Sequence, residues 1–285
     1  MLLQAIITGI LMGLLFALIA LGLTIIFGVM EFVNFAHGEF LLVGMLTAFY
    51  ANQLLGLDPL ASIPLSALAA SILGVATYHF LVRHVIRGPM IAQLFSTFGL
   101  MLFLQNLFLF LTGSNYKMVK RGWLIGKSVR IAEGLVLDLS VLAAGVVAIV
   151  AFALIYYLFN HTRIGMAMRA TALDGLGATL MGIRTERINY LAWALASAIV
   201  GIAGALLANF YYIYPTVGLV FVMIAFATVA LGGFGSIGGA FVAGVLIGVI
   251  EVVGGLYVGS QFKFTIVYAT YLLVVLLRPK GLFGW

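Results

Sequence analysis

The sequence predicts an all-α, polytopic membrane protein with about eight transmembrane helices, and its composition carries this prediction. Of the 285 residues, 65% are hydrophobic and only 8% are charged, whereas roughly a quarter of the residues in a soluble domain are charged. The apolar residues form long runs and lack the weak alternation of a transmembrane barrel, and only helices or closed barrels satisfy their backbone groups in lipid. We therefore expect a single transmembrane domain over residues 1–285.

Nine apolar stretches approach the roughly 20 residues that a helix needs to cross the hydrocarbon core. They lie near residues 4–27, 39–56, 60–82, 91–111, 140–159, 189–211, 216–231, 239–258 and 262–277. Because 216–231 is short, the expected count is eight to ten, including broken or re-entrant segments. The first stretch has no Lys or Arg before it, which favours a permanent first span over a secretory signal.

The positions of lysine and arginine predict the orientation of the chain, since cytoplasmic loops are enriched in them. The loops 83–90 and 160–188 and the tail from Arg278 fall on one side, which we assign to the cytoplasm. The segment 112–139 falls outside although it is basic, and long loops obey the rule less strictly. Its basic residues are Lys117, Lys120, Arg121, Lys127 and Arg130.

The sequence argues against an enzyme and against a resident metal or cofactor. It has no cysteine, which excludes disulfides, iron–sulfur ligation and a cysteine nucleophile. It contains neither HExxH nor GxSxG, nor the phosphate-binding pattern GxxxxGK[ST]. Any ATP and Mg²⁺ that drive this protein must therefore be bound by another polypeptide, and the net charge of +6 concerns topology rather than nucleic acid.

Four polar or special residues cluster between the first two apolar runs: Asn34, His37, Gly38 and Glu39. Polar and ionisable groups at the centre of a bilayer cost about 2.5–3.5 kcal/mol each on insertion scales, so they should face a cavity or an interface. Two interpretations stay open at this point. The cluster is either a helix break that lines a translocation path or a short cytoplasmic turn.

Glycine spacing predicts close helix packing at three places, Gly9 with Gly13, Gly244 with Gly248, and Gly255 with Gly259. The segments 34–46 and 234–246 also align as a weak internal repeat, with Gly38 over Gly238 and Gly44 over Gly244. Paired interruptions of two halves mark the pathway in many transporters, although a glycine-rich chain produces such alignments by chance. Lys263 is one candidate partner for Glu251, an isolated carboxylate inside a span.

The segment 171–182 has the pattern of a short amphipathic helix between two spans. Leu173, Leu176 and Leu180 form one apolar stripe, Asp174 falls in the first turn, and Gly182 is placed to end the helix. Such a helix would lie in a groove of a partner subunit. The alternative is an interfacial helix that charge holds at the lipid headgroups.

Residues 162–207 resemble the cytoplasmic coupling segment of permeases in the branched-chain amino-acid ABC importer family. The positions that match its pattern are Arg163, Gly165, Arg169, Ala170, Asp174, Ala178, Gly182, Ile183 and Gly204, whereas Gly177 replaces the usual alanine. The NFAHGE box (34–39) and the RPKGLFG ending (278–284) also match, and favour the LivH-like subunit. A late glycine-rich box matches through Gly232, Gly233, Gly235, Ser236, Gly239 and Ala240.

The resemblance implies a permease of the bacterial inner membrane that performs no bond chemistry itself. It would pair with a second permease subunit, as a heterodimer, and two cytoplasmic ATPases would grip the coupling loop at about 160–188. A periplasmic binding protein would deliver the solute. From the charge of the 112–139 loop we further hypothesise that this loop helps to dock the binding protein. Asn34, His37, Gly38, Glu39, Gly232, Gly233, Ser236 and Gly239 would be the pathway candidates.

Two other functions remain open on the sequence. A permease of the same type could carry urea, short amides or other small solutes, since the choice of cargo rests largely with the receptor. A secondary transporter driven by an ion gradient would need buried carboxylates, for which Glu39 and Glu251 are the candidates. An intramembrane enzyme is disfavoured because the chain lacks a catalytic constellation.

Overall fold

The computed structural model describes residues 1–132 and 135–283 and is built almost entirely of helices. The helices are α1 (Leu2–Met30), α2 (His37–Leu55), α3 (Ile63–Thr77), α4 (Arg83–Val85), α5 (Met90–Thr112), α6 (Leu139–His161), α7 (Arg163–Leu173), α8 (Gly175–Leu180), α9 (Thr185–Leu207), α10 (Val217–Gly232), α11 (Ile237–Val258) and α12 (Lys263–Leu277). A π-helical turn, Tyr78–Val82, joins α3 to α4. The strands β1 (Ser128–Ala132) and β2 (Leu135–Asp138) form an antiparallel hairpin.

Within the described residues, seven helices are long and apolar enough to cross a membrane. They are α1, the continuous helix Ile63–Val85, α5, α6, α9, α11 and the helix Ser260–Leu277. The 19-residue α2 and the 16-residue α10 complete the set of apolar helices. Each of the nine stretches predicted from the sequence therefore contains a helix, and the polytopic all-α prediction is confirmed.

Two of the glycine pairs predicted from spacing meet each other along the antiparallel seam between α1 and α11. A Cβ on Gly9 would lie 2.8 Å from the Cα of Val249, and a Cβ on Gly13 would lie 2.7 Å from the carbonyl oxygen of Gly244. Because these backbones touch, dispersion contacts hold α1 against α11 without a hydrophobic force between them. The third predicted pair behaves differently, since Gly259 ends α11 and donates its N–H to Gly255.

Helix α9 packs beside α2 and α3 as α1 packs beside α10 and α11. A Cβ on Gly201 would lie 2.5 Å from the carbonyl oxygen of Ser66 in α3, and one on Gly204 would lie 2.9 Å from the backbone nitrogen of Met45 in α2. Helices α1 and α9 also pack on each other and are the most buried of the long helices. They form the centre of the bundle.

The contacts at the helix ends sort the loops onto two faces. One face, called the basic face below, carries residues 83–90, 160–188 and 278–283. Gly28 near the end of α1 packs there on Gly235, and Leu282 donates its N–H to the carbonyl oxygen of Leu231. The loops that the sequence assigned to one side therefore do share a face.

The opposite face, called the hairpin face below, carries β1 and β2. Gln4 donates to the carbonyl oxygen of Val136 there, and Asn52 donates to that of Arg121. Glu251, which is only 4% exposed, pairs near this face with Lys263 at 2.8 Å. The candidate partner for Glu251 is confirmed.

Candidate functional site

Two broken helices meet near the middle of the bundle. The chain leaves α1 at Met30 and re-enters a helix at His37, and it leaves α9 at Leu207 and re-enters one at Val217. The first turns of α2 and α10 touch, since a Cβ on Gly218 would lie 2.5 Å from the carbonyl oxygen of Gly38. The junction of these two helix N-termini is called the half-helix junction below.

The depth of the half-helix junction follows from the hydrogen bond of His37. Its Nε2 lies 3.0 Å from the carbonyl oxygen of Ile19, which is 11 residues before the end of α1. At 1.5 Å per residue, this places His37 about 16 Å inside a helix that is about 43 Å long. The NFAHGE segment is therefore a deep helix break, and the interpretation as a short cytoplasmic turn is wrong.

The polar side chains of the break are buried and only partly satisfied. Asn34, His37 and Glu39 are 0%, 0% and 1% exposed. Asn34 accepts a hydrogen bond at Oδ1 from the N–H of Ala36, which holds the turn. Within the described residues, Asn34 Nδ2 and His37 Nδ1 have no hydrogen-bond partner. Such groups are expensive to bury, which is typical of a site that another molecule completes.

Glu39 lies where both half-helices begin. One carboxylate oxygen accepts a hydrogen bond from Gln105 Nε2 at 3.0 Å, and the same oxygen would lie 2.9 Å from a Cβ on Gly218. The other oxygen has no partner among the described residues. A carboxylate at a helix N-terminus interacts favourably with the helix dipole, so two helices stabilise negative charge at this point.

A cavity of about 270 Å³ opens beside Gln105, between α5 and the 208–216 break. Its wall includes the amides of Gln105 and Asn106, the side chains of Tyr116 and Tyr214, and Thr216 at the start of α10. Asn106 is exposed although it lies six residues, or about 9 Å, from the end of a long apolar helix. An exposed amide at this depth indicates a polar cavity or a protein partner rather than lipid.

Gln105 and Asn106 were not among the site residues predicted from the sequence. The available signal was a pair of adjacent amides, Gln-Asn, inside the otherwise apolar segment 91–111. In a soluble protein that pair would be ordinary, but inside a span it calls for a partner.

The late glycine-rich box does not join the half-helix junction. Gly232 is 14 residues along α10 from Gly218, about 21 Å away, and it packs on Gly239 so that α10 and α11 form a tight turn. Ser236 caps α11 by accepting the N–H of Gly239 at 3.1 Å, and Gly233 adopts a φ of 98°. Gly232, Gly233, Ser236 and Gly239 therefore shape a turn on the basic face, and the structure does not place them with Asn34–Glu39.

The internal repeat also pairs different segments from those aligned in the sequence. Gly38 meets Gly218 rather than a residue of the 234–246 segment, and a Cβ added to Gly238 would meet no atom of the described residues within 4 Å. The break after α1 thus corresponds to the break after α9. The alignment of 34–46 with 234–246 was wrong because glycine is frequent enough in this chain to match by chance.

The predicted coupling segment begins with a sharp turn from α6 into α7. Thr162 caps α7 by accepting the N–H of Gly165 at 3.1 Å, and a Cβ on Gly165 would lie 2.5 Å from the Cα of Phe159. Arg169 donates to Asn160 Oδ1 at 3.3 Å across this turn, whereas Arg163 is exposed. Gly165 is thus required because the two helices touch at the turn.

The segment 171–182 is two helices rather than one. α7 ends at Leu173, and Asp174 caps α8 by accepting the N–H groups of Leu176 at 3.0 Å and Gly177 at 2.9 Å. An N-cap role is what aspartate favours outside a helix, so the placement of Asp174 in a first turn was one position off. The structure also explains why glycine replaces the usual alanine at position 177, since a Cβ there would lie 2.6 Å from the Asp174 carboxylate.

The end of α8 agrees with the prediction that Gly182 terminates the helix. Gly182 has a left-handed φ of 86°, and Ile183 donates its N–H to the carbonyl oxygen of Ala178, which is a Schellman ending. Ala178 is the buried residue of α8, and Ile183 packs partly against the core. These two side chains hold the short helix on the bundle.

The large apolar side chains at the end of α7 and along α8 are left uncovered by the described residues. Leu173, Leu176 and Leu180 are 89%, 73% and 80% exposed, and Met181 is 84% exposed. We call these four residues the exposed stripe. Beneath α7, a crevice of about 210 Å³ separates Met168 and Arg169 from the end of α1 and from Gly235. The segment therefore rests on the broken-helix core but leaves its apolar side uncovered.

The fold and these two regions define a multi-pass helical membrane permease, with broken helices at its centre and an apolar helix presented at one face. The chain matches the model of the family described as branched-chain amino acid transport system / permease component over residues 5–277. It belongs to this family. The resemblance inferred from the sequence is confirmed.

Several curated relatives match the chain. It is 30% identical to the high-affinity branched-chain amino acid transport system permease protein LivH of Salmonella typhimurium, over 99% of this chain and 95% of the relative. It is 33% identical to BraD of Pseudomonas aeruginosa, with the same coverage. The ribose import permease protein RbsC of Bacillus subtilis is 28% identical over 48% of this chain and 40% of the relative. No solved structure matches the chain significantly.

Proposed function

We propose that this permease forms part of the path by which branched-chain amino acids cross the bacterial inner membrane in an ATP-driven importer. The half-helix junction is the observation that carries the proposal. Two helix N-termini and a buried carboxylate meet there, at the depth where transporters bind their solutes. The cargo is supported by the names of relatives that match nearly the whole chain.

The pathway runs past the cavity beside Gln105. This cavity is open on one side, and its amides and Thr216 lie on the surface of the chain at membrane depth. A second permease subunit placed against α5 and α10 would close the cavity into a passage. Glu39 lies behind Gln105, so movement of one amide side chain would expose the carboxylate to a passing solute.

The exposed stripe is the coupling surface. Four large apolar side chains at a water-facing end of the bundle are costly unless a partner covers them, and an amphipathic helix in a groove is a common solution. The partner is an ATPase subunit, and a complete importer would hold two of them, two permease subunits and a receptor for the solute. The alternative, a helix held at the headgroups, predicts that the stripe faces lipid.

The coupling surface is tested by Leu176→Glu and Leu180→Glu in the complex purified under mild detergent. Both side chains are exposed, so the variants should accumulate normally in the membrane while losing the ATPase and all uptake. Leu176→Met is the matched control, because it keeps an apolar side chain, and it should retain both. Normal recovery of the ATPase with the glutamate variants would overturn the proposal.

Among the other functions, the ion-coupled transporter loses one of its two carboxylates, since Lys263 neutralises Glu251. Uptake by reconstituted vesicles decides the matter: it should require ATP inside and ignore an uncoupler. Urea or a short amide in place of leucine in the same assay tests the remaining alternative on cargo.

A further inference from the structure

A polar cavity of about 480 Å³ lies on the basic face, between α4 and the start of α9, and its lining includes no residue of the half-helix junction or of the exposed stripe. Arg83, His84 and Arg87 line it from one side, and Glu186 and Asn189 line it from the other. Its volume falls in the range of about 300–1,000 Å³ that small-molecule sites occupy. The functions proposed above for the half-helix junction and for the exposed stripe do not involve this cavity.

The charges of this cavity are unbalanced and unpaired. Its two arginines face one carboxylate, that of Glu186, and the ion pair found within the described residues joins Lys263 to Glu251 instead. The Oδ1 atom of Asn189 is buried without a hydrogen-bond partner among the described residues, although the Tyr78 hydroxyl is a neighbour. The cavity thus offers guanidinium donors for an anion and, in Asn189 Oδ1, a hydrogen-bond acceptor.

The helix that carries the arginines of the cavity contains a π-helical turn. The π-helical turn Tyr78–Val82 interrupts the helix just before Arg83, and such turns frequently mark functional positions. His79 Nδ1 lies 2.7 Å from the Tyr190 hydroxyl, which fixes this turn against α9. Phe80, which is 76% exposed, lies four residues before His84 on the outside of the bundle.

We propose that this cavity binds the headgroup of an anionic phospholipid of the phosphatidylglycerol type. Arg83 and Arg87 hold the phosphate, because guanidinium pairs with phosphate oxygens through two hydrogen bonds at once. The headgroup hydroxyls donate to Asn189 and Glu186, and the acyl chains lie along Phe80. Basic pockets between spans on the cytoplasmic side are a recurring place for such headgroups. The bound lipid joins α4 to α9.

Native mass spectrometry of the full-length chain, with the subunits it retains in mild detergent, tests this site. After equal additions of phosphatidylglycerol and phosphatidylcholine, the wild-type chain should retain the former. The double variant Arg83→Gln/Arg87→Gln should retain about tenfold less, which corresponds to about 1.4 kcal/mol. The matched control is Arg278→Gln/Lys280→Gln, which removes the same charge from the same face outside the cavity and should behave as the wild type.

Two further arms separate the sources of the phosphate and the role of the hydroxyls. Inorganic phosphate at millimolar concentration should not displace the lipid, and complete displacement would mean that the site reads free phosphate instead. Asn189→Leu should lower retention of phosphatidylglycerol to that of phosphatidic acid, which lacks the hydroxyls. Equal retention by the arginine double variant and the wild type, or equal retention of the choline lipid, overturns the proposal. If the double variant does not accumulate, Arg87→Gln, which lies beyond α4, gives the same comparison.

Discussion

Gly38 and Gly218 lie backbone to backbone, each at the first turn of its helix, although 180 residues separate them in the chain. Their contact sets the distance between the two half-helices, because any side chain on either residue would push the helices apart. Glu39 follows Gly38 in α2, and one of its carboxylate oxygens would lie 2.9 Å from a Cβ on Gly218. Any change in the distance between the two half-helices would therefore also move the carboxylate of Glu39.

Gly218→Ala should destabilise the protein and abolish uptake. A Cβ at this position would lie 2.5 Å from the carbonyl oxygen of Gly38, and overpacking of this kind costs about 1–3 kcal/mol. Thermal unfolding in detergent and uptake in vesicles measure the two effects. Gly238→Ala is the control, because its Cβ would meet no described atom within 4 Å, and it should match the wild type in both assays.

Glu39→Gln should lower uptake without lowering stability. The carboxylate is buried with one oxygen unsatisfied among the described residues, and the desolvation penalty that a neutral amide removes outweighs the favourable interaction with the helix dipoles that it loses. If Glu39 contacts solute, the transport rate falls while the melting temperature holds or rises. A lower melting temperature together with normal transport would show that the carboxylate serves the fold alone.

Gly182→Ala should impair coupling at the exposed stripe. Alanine in the left-handed conformation of Gly182, at φ 86°, costs roughly 1–2 kcal/mol, which α8 can avoid only by changing its ending. We expect ATP hydrolysis to continue in vesicles with little uptake. Gly175→Ala, at the first position of α8, where the residue has neither a positive φ nor a described neighbour within 4 Å of an added Cβ, should leave the ratio of uptake to hydrolysis unchanged.

Lys263→Met should lower the free energy of unfolding by on the order of 2 kcal/mol. The change leaves Glu251 buried without its cation, and breaking a fully buried pair costs about 3–5 kcal/mol. The smaller value follows from the 36% exposure of the lysine side chain. Adding Glu251→Gln should recover most of the loss in a thermal-shift assay, and additive losses in the double variant would contradict a paired role.

Lys120→Glu/Arg121→Glu should slow uptake and make it less sensitive to salt. These exposed residues lie on the hairpin face, where Asn52 anchors the backbone of Arg121, and complementary charge mainly raises the rate of association with a receptor. Lys280→Glu, on the basic face, should change neither property. Wild-type uptake kinetics in the double variant would rule out receptor docking at this loop.

The sequence was informative where a pattern repeats along one helix. Helical spacing was sufficient to group Leu176 and Leu180 on α8, whereas Leu173, which is also exposed, ends α7. The glycines of α1 and α11 were likewise recognised from small-residue spacing. In each case the signal lies within a dozen residues, so local periodicity was sufficient.

The sequence was misleading where the partner lies far along the chain. The break after α9 contains no charged residue, so nothing near Gly218 marked it as the counterpart of the polar break at Asn34–Glu39. The box at Gly232–Gly239 carries more glycine and looked like the better match. Glycine permits both a tight turn and a helix break, and only tertiary packing distinguishes them.

The seam between α1 and α11 has a consequence for biosynthesis. Gly13 cannot reach its mate until Gly244 has been made, 231 residues later, and at about 5–20 residues per second this takes roughly 12–46 s. Throughout that interval the surface of α1 around Gly9 and Gly13 lacks its contact with α11. A nascent chain that ends before Gly244 therefore presents this surface of α1 to lipid or to another span.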